Sequence, residues 1–304
     1  MILLKRILWL LLMLPLLASA QKDNYKCFKL PDLLQEVSGL YLESTNRYWW
    51  HNDSGSAPQL YLTNNKGKLK DTILLASIQN IDWEDITHDT LGNIYIGDFG
   101  NNINKRKDLR IYIYNPRSKK IETIEFEYPD QKEFPPKPSE QNFDMEAFFW
   151  FQDSLHLFSK NRMLHGNYHT KHYVLPAKGG KYIAELRNEM NLKNRVVTAA
   201  AISPDGKTVA LVAYNIKKVL GFLPWSSASI FFIRNFEGND FLKGTVYKKR
   251  APGFLWATQL EALDFLDDQT IYIASEKTKF IKPKAKRVKL KRRFFKEKRI
   301  LSNK

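Results

Sequence analysis

One pattern returns five times along this chain. A repeat at such spacing lets a chain bury its apolar residues by stacking copies side by side. The unit is a triplet opening on an oxygen-bearing or small residue, then a polar turn, an apolar strand and a polar cluster. Its copies are SGLYLESTNRYWWHNDSG from Ser38, EDITHDTLGNIYIGDFGNN from Glu84, EAFFWFQDSLHLFSKNR from Glu146, AAISPDGKTVALVAYN from Ala200 and EALDFLDDQTIYIASEK from Glu261. Each reads as a β-hairpin, with TLGN and SPDGK as glycine-containing turns between β-prone runs.

Most copies are followed by two further strand-like runs. These are residues 59–62 and 71–75 after the first copy, 111–114 and 121–128 after the second, and 230–233 and 244–247 after the fourth. Four strands in each repeat of roughly 40–60 residues predict an all-β chain folded as a single β-propeller. Five copies predict five blades; six would need a further copy hidden in a long inter-strand stretch. A β-sandwich leaves the repetition unexplained. The last copy has little chain after it, so residues 285–290 are expected as the third strand of blade five. Residues 25–30 are expected as the N-terminal strand that closes the ring.

The first twenty residues read as a secretory signal peptide. Lys5 and Arg6 precede an apolar run over residues 7–17, and Ala18, Ser19 and Ala20 form a small-residue cleavage site. The apolar run is short for a spanning helix, which needs ~20 residues. No cysteine follows the cleavage site, which argues against a lipoprotein anchor. The expected organisation is a signal peptide over 1–20, a propeller over 21–290 and a basic C-terminal tail over 291–304. The expected location is secreted or periplasmic, possible envelope association included. The single cysteine, Cys27, allows no internal disulfide, so packing or a metal must stabilise the exported domain.

The net charge of +16 looks at first like a polyanion-binding signature, but residues 277–304 hold fourteen Lys/Arg and one acid. The body of the chain is close to neutral, and a nucleic-acid partner is not expected for an exported protein. The basic end offers contact with an anionic envelope surface or a partner through residues 291–304. A solvated, lysine-protected edge strand accounts for the alternating 285–290 segment equally well.

In a propeller the first strand of each blade is innermost, so the triplets should ring the central channel. Glu84, Glu146, Glu261 and Ser38 take four of the five positions. Converging carboxylates repel, and they either hold protons or recruit a cation. All-oxygen ligands fit Ca²⁺. The alternative is that each glutamate caps backbone amides at its own strand start. The polar clusters after the second strands should share one face of the disc. Their candidates for ligand contact are His51, Asp53, Asp98, Asn101, Lys160, Arg162, Tyr214 and Glu276; solvated turn residues are the competing reading for each. The spacing of His165, His169 and His172 matches no zinc motif and is expected in a surface loop. No GxSxG elbow, Walker loop or GxGxxG opening a helix is present.

The triplets SGL, EDI, EAF and EAL opening successive blades resemble the SdiA-regulated family of exported bacterial five-bladed propellers. A more distant similarity is to calcium-activated nucleotidases of the apyrase type, too remote to carry nucleotidase activity over. The resemblance implies a calcium site in the central tunnel, with Ser38, Glu84, Glu146 and Glu261 at the matching positions. The fourth copy departs from it: Ala200 stands where an oxygen-bearing side chain is expected, with Thr198 two residues before it.

Three functions remain open at this stage. One is a calcium-stabilised exported propeller that binds an extracytoplasmic ligand or partner. The second is a calcium-dependent hydrolase of phosphate or lactone esters at the tunnel mouth. The third is a structural envelope protein held by its tail. No nucleophile–base pair emerges from the residues, which favours the first. N-terminal sequencing of the exported protein should begin at Gln21; recovery of intact Met1 in a membrane fraction would rule out cleavage.

Overall fold

A computed structural model describes residues 27–161, 168–219, 223–251, 259–277, 282–291 and 294–297. The expected signal peptide, its cleavage point and most of the basic tail lie outside the described residues. No helix among the described residues is long and apolar enough to cross a membrane.

The chain is a five-bladed β-propeller. It enters through β1 (Cys27–Lys29). Blade one is the meander β2 (Val37–Ser44), β3 (Arg47–Asn52), β4 (Gln59–Thr63) and β5 (Leu69–Leu74). Blade two is β6 (Trp83–His88), β7 (Ile94–Asp98), β8 (Arg110–Tyr114) and β9 (Ile121–Glu127). Blade three uses β10 (Asp144–Phe151), β11 (Ser154–Lys160) and β12 (His169–Pro176). Between β12 and its outermost strand the chain runs through β13 (Gly180–Ile183), which leaves the blade, before returning as β14 (Glu185–Asn191). β13 pairs in parallel with β9 and gives blade two a fifth strand. Blade four is β15 (Val196–Ile202), β16 (Val209–Val219), β17 (Leu223–Arg234) and β18 (Thr245–Arg250). Blade five has β19 (Leu260–Asp267), β20 (Thr270–Ser275) and β21 (Lys284–Lys289), and β1 completes it from outside. The closing pair is antiparallel, with Cys27 opposite Lys286 and Lys29 opposite Lys284. The first and last strands therefore hold the ring shut, as the sequence predicts.

Strand periodicity explains why so many runs are apolar at consecutive positions. Neighbouring side chains point to opposite faces of a blade, and both faces are covered by the adjacent blades. In β3, Tyr48 and Trp50 pack toward blade five with Leu40 and Tyr272, while Trp49 packs toward blade two with Trp83 and Ile86. Each of the five apolar clusters lies between one pair of neighbouring blades.

The innermost strands β2, β6, β10, β15 and β19 each carry a β-bulge near their start. The register shifts fall between Val37 and Gly39, Trp83 and Asp85, Met145 and Ala147, Val197 and Ala199, and Leu260 and Ala262. The bulged residues are Ser38, Glu84, Glu146, Thr198 and Glu261. A bulge re-aims one side chain, and here it does so at the equivalent place in every blade. The fourth repeat therefore opens at Thr198. Ala200, read from the sequence as that opening, lies two residues further along the strand.

Two other expectations change. His169 and His172 lie in β12 rather than in a surface loop, and His165 falls outside the described residues. His172 is fully buried between blades three and four, with its Nε2 3.0 Å from His156 Nδ1 and its ring stacked on Phe158. Burial holds His156 down at about 4 and His172 well below the usual histidine range, so both are neutral at pH 7. At the C-terminal end, Phe294 and Phe295 form a helical turn with Lys296 and Glu297 and pack edge-on against Phe232. Arg234 lies 4.6 Å from the Phe295 ring centre. The segment after Leu290 is thus anchored on blade four before the remaining basic residues begin.

Asp85 ties the inner strands together. It is fully buried; one oxygen accepts the Ile86 N–H at 2.8 Å and the other the Phe148 N–H of blade three at 3.2 Å. The Ala200 N–H of blade four also bonds to it. Replacing Asp85 by alanine leaves these amides without that acceptor. We expect a loss of about 2–4 kcal/mol, read as a lower urea midpoint at unchanged m, with Asp85→Asn losing less because it keeps one acceptor oxygen. Equal midpoints for the alanine variant and the parent would show that the bridge carries no stability.

Candidate metal and ligand site

The strand starts converge on one mouth of the channel, over a cavity of about 370 Å³. Five carboxylates line it: Asp53, Glu84, Asp144, Glu146 and Glu261. Lys160 is the single basic group among the described lining residues. The mouth is therefore strongly acidic.

The bulges account for the three glutamates. Each is almost wholly buried, and each is pushed well above the ordinary carboxylate range. Burial is the main cause for all three. Glu146 adds to it at Glu84, and Glu276 adds to it at Glu261. Burial likewise raises Asp82 and pushes Asp53 up to about 7. Gly100 gives this crowding its room: a side-chain carbon there would collide with the Glu84 and Asp82 carboxylates.

Ser38 and Thr198 complete the ring but serve another purpose. The Ser38 hydroxyl donates to the Glu84 carbonyl, and Thr198 Oγ1 donates to the Leu260 carbonyl at 2.6 Å. Each ties its inner strand to the next blade. The ring thus divides into three carboxylates that line the cavity and two hydroxyls that stitch blades.

Ligand atoms of two acidic triads come within 4.8 Å of one another: Asp53, Asp82 and Glu84, and Glu84, Asp144 and Glu146. Glu84 belongs to both. Glu261 joins neither; Gln259 Nε2 binds it at 2.9 Å and reaches Glu276 at 3.1 Å. Asn161, also at the cavity wall, is 2 % exposed, and its amide oxygen and nitrogen both lack a hydrogen-bond partner among the described residues. A buried amide without a partner is costly unless something fills that role. Carboxylate and amide oxygens are the ligands hard cations take, so the donor set fits a metal ion.

Lys160 opposes such an ion. Its ammonium pairs with Glu146. Burial works against its charge, but Glu146 and the surrounding acids prevail and hold its proton well above the usual lysine range. Tyr214 borders the same cavity, and burial raises its phenol.

The remaining sequence candidates are placed away from the cavity or outside the described residues. His51 is buried near the end of β3, with Nδ1 3.0 Å from the Asn52 carbonyl and its ring edge-on to Trp83; burial lowers it to about 4. Asp98 pairs with Arg106 at 3.1 Å and accepts the Asp82 N–H. Asn101 folds its loop: its oxygen accepts the Arg106 N–H, and its own N–H donates to Asp144. Its neighbour Asn102 is the one that lines the cavity. Arg162 lies outside the described residues.

Asp82, Asp144 and Gln259 were not singled out by the repeat reading. They stand two residues before Glu84, Glu146 and Glu261, and Glu36 and Val196 hold the same place before Ser38 and Thr198. A D-x-E, D-x-E, Q-x-E alternation is therefore present in the sequence, beginning two residues ahead of the triplets.

No protein-family model matches the sequence, and no curated protein matches it. The similarity to the SdiA-regulated family thus rests on the triplets alone. Solved structures align with it at low identity. A virginiamycin B lyase from Staphylococcus aureus is 11% identical, over 88% of this chain and 99% of that one, with a TM-score of 0.43. A gluconolactonase from Xanthomonas campestris is 11% identical over 89% and 92%, at 0.48. A streptogramin B lyase is 12% identical over 87% and 97%, at 0.42. The propeller assignment stands on the five sheets themselves.

The pairing of Lys160 with Glu146 makes the site testable. A divalent cation must displace or tolerate the ammonium, so Lys160→Met should bind calcium about tenfold more tightly or better in calorimetry. Protons compete for the same oxygens. Because the carboxylates are raised, affinity should keep climbing at pH values well above 4.5, where ordinary glutamates are already ionised. A variant binding calcium no more tightly than the parent would show that Lys160 does not guard the site.

Proposed function

We propose that the protein is an exported, calcium-stabilised β-propeller that binds an extracytoplasmic ligand or partner at its acidic mouth. The observation that supports this most directly is the pair of carboxylate triads sharing Glu84 beside the buried Asn161, whose amide has no hydrogen-bond partner among the described residues. Calcium accepts about 6–8 oxygen ligands at flexible geometry. Asp53, Asp82, Glu84, Asp144, Glu146 and Asn161 are the residues that would hold it. When bound, calcium would neutralise carboxylates that otherwise repel and would present a positive charge to an anionic or polar ligand in the cavity. The signal-peptide features supply the export half of the proposal. The basic residues after the anchored Phe294–Phe295 turn are proposed to contact an anionic envelope surface.

A second reading, hydrolysis of phosphate or lactone esters, draws on one observation. The cavity leaves about 370 Å³ above the carboxylates, with Lys160 and Tyr214 at its wall. Calcium would supply Lewis-acid polarisation of the ester, and Lys160 would hold the charge of an anionic leaving group.

Calcium should raise the melting temperature of a metal-free sample. Occupancy at 100 times Kd adds ~2.7 kcal/mol. Glu146→Gln should reduce the rise, and Glu84→Gln should reduce it most, since Glu84 serves both triads. An unchanged melt on adding calcium, in a sample verified to be metal-free, rejects the proposal. Turnover of a phosphate ester or lactone that disappears in Glu84→Gln would favour the second reading.

A further inference from the structure

The channel has a second chamber, at the opposite ends of the inner strands. Asp85 lies between the two: Glu84 borders the acidic mouth, and Ile86 borders the other cavity, of about 250 Å³. The two cavities share no lining residue.

The second chamber has a different chemistry. Ile86, Phe149 and Leu263 form its apolar wall, and Trp150 and Phe151 stand partly exposed at its rim. Its ionisable lining groups are His88, Asp89 and Asp264; no lysine or arginine is among the described residues that line it.

The polar groups are held in fixed positions. Asp264 receives the Leu42 N–H of blade one at 2.7 Å and the Phe265 N–H at 2.7 Å, which fixes its carboxylate at the wall with lone pairs left over. Burial raises it to about 6, against the opposing pull of His88. It is therefore chiefly ionised at pH 7. His88 Nδ1 lies 3.0 Å from the Asp89 carbonyl, so Nδ1 carries a proton and donates to it. The His88 ring is held by stacking on Tyr41, with centroids 4.0 Å apart. Asp89 is occupied by its own turn, accepting from Leu91, Asn93 and Tyr95.

We propose that this chamber is a binding site for a small organic ammonium ion with an apolar or aromatic body. The Asp264 carboxylate would accept the ammonium protons, and the aromatic rim would cover the body. Aromatic faces attract cations, and a chamber with a fixed carboxylate in its wall and no lysine or arginine among its described lining residues disfavours carboxylates and phosphates. The site is independent of the calcium reading, because it uses none of the acidic-mouth residues.

Calorimetry of the purified protein with benzylammonium, in excess chelator, tests it. One-to-one binding is expected, with benzyl alcohol and benzoate at least tenfold weaker. Asp264→Asn should lose at least tenfold. Thr90→Trp changes an exposed residue on the chamber's lining and should block entry while leaving the melting temperature close to the parent's. It keeps the test decisive if Asp264→Asn folds poorly. Benzyl alcohol binding as tightly as benzylammonium would show an apolar cavity without charge selection and overturn the proposal. Benzylammonium binding unchanged in Thr90→Trp would place the amine elsewhere and overturn it as well.

Discussion

The innermost strand of each blade has a neighbour on one side only, so its other edge presents unpaired backbone groups to the channel. Such groups must find partners when water is scarce. In this protein side chains from adjacent blades answer many of them. Asp85 accepts amides from blades three and four, Thr87 accepts the Trp150 N–H at 3.2 Å, and Asp264 accepts the Leu42 N–H. Ser38 and Thr198 satisfy carbonyls in the opposite sense. The blades are thus joined by two devices of different character. Apolar clusters seal their flat faces, and polar bonds lace their inner edges. The first is tolerant of substitution in kind, whereas the second depends on a few oxygens at fixed places.

That lacing also explains why the acidic mouth can exist. Three buried glutamates and two nearby aspartates repel one another, and a loosely held ring would open to relieve them. The five bulges set the glutamates on strands already tied at Asp85 and Thr198, so the repulsion is held in place. Lys160 offsets part of it. One ammonium can offset only one of five lining carboxylates, so the others must hold protons or a cation; that need, with the hydrogen-bonding capacity of Asn161 left open among the described residues, is what gives the mouth its preference for a cation. A monovalent tether on a strand and a diffusible divalent ion are competing answers to the same electrostatic need.

The repeat, the blade count and the closing strand were legible because they depend on local pattern. Turns, β-branched and aromatic runs and recurring triplets are visible without tertiary knowledge. Even β1 and β21 could be anticipated, since a last blade one strand short must borrow from the other terminus. Blade three was harder to read. β14 has the sequence ELRNEMN, an exposed outer strand with almost no apolar signal, and β13 belongs by sequence to one blade and by pairing to another. The slip at Ala200 has a similar origin. A bulge inserts one residue into the alternation, so a reading that aligns apolar triplets loses the position of the bulged residue when Ala199, Ala200 and Ala201 look alike.

The candidate site was legible in outline and not in detail, and the reason is geometric. Sequence equivalence places residues on a common level of the disc but says nothing of their direction. His51, Asp98 and Asn101 share the level of Asp53 and Lys160, yet His51 turns under Trp83 and Asp98 turns to Arg106, so neither meets the cavity. Conversely, Asp82 and Asp144 enter the site because a residue two positions before a bulge points the same way as the bulged one, toward the channel axis. Asp85 lies outside that alternation altogether. Its counterparts are Gly39, Ala147, Ala199 and Ala262, all too small to cross the channel. A single larger, charged residue at a position otherwise held by glycine and alanine is therefore the sign of a part that serves several blades at once, here blades two, three and four. That one departure from the repeat stands on β6 between Glu84, which borders the acidic mouth, and Ile86, which borders the second chamber.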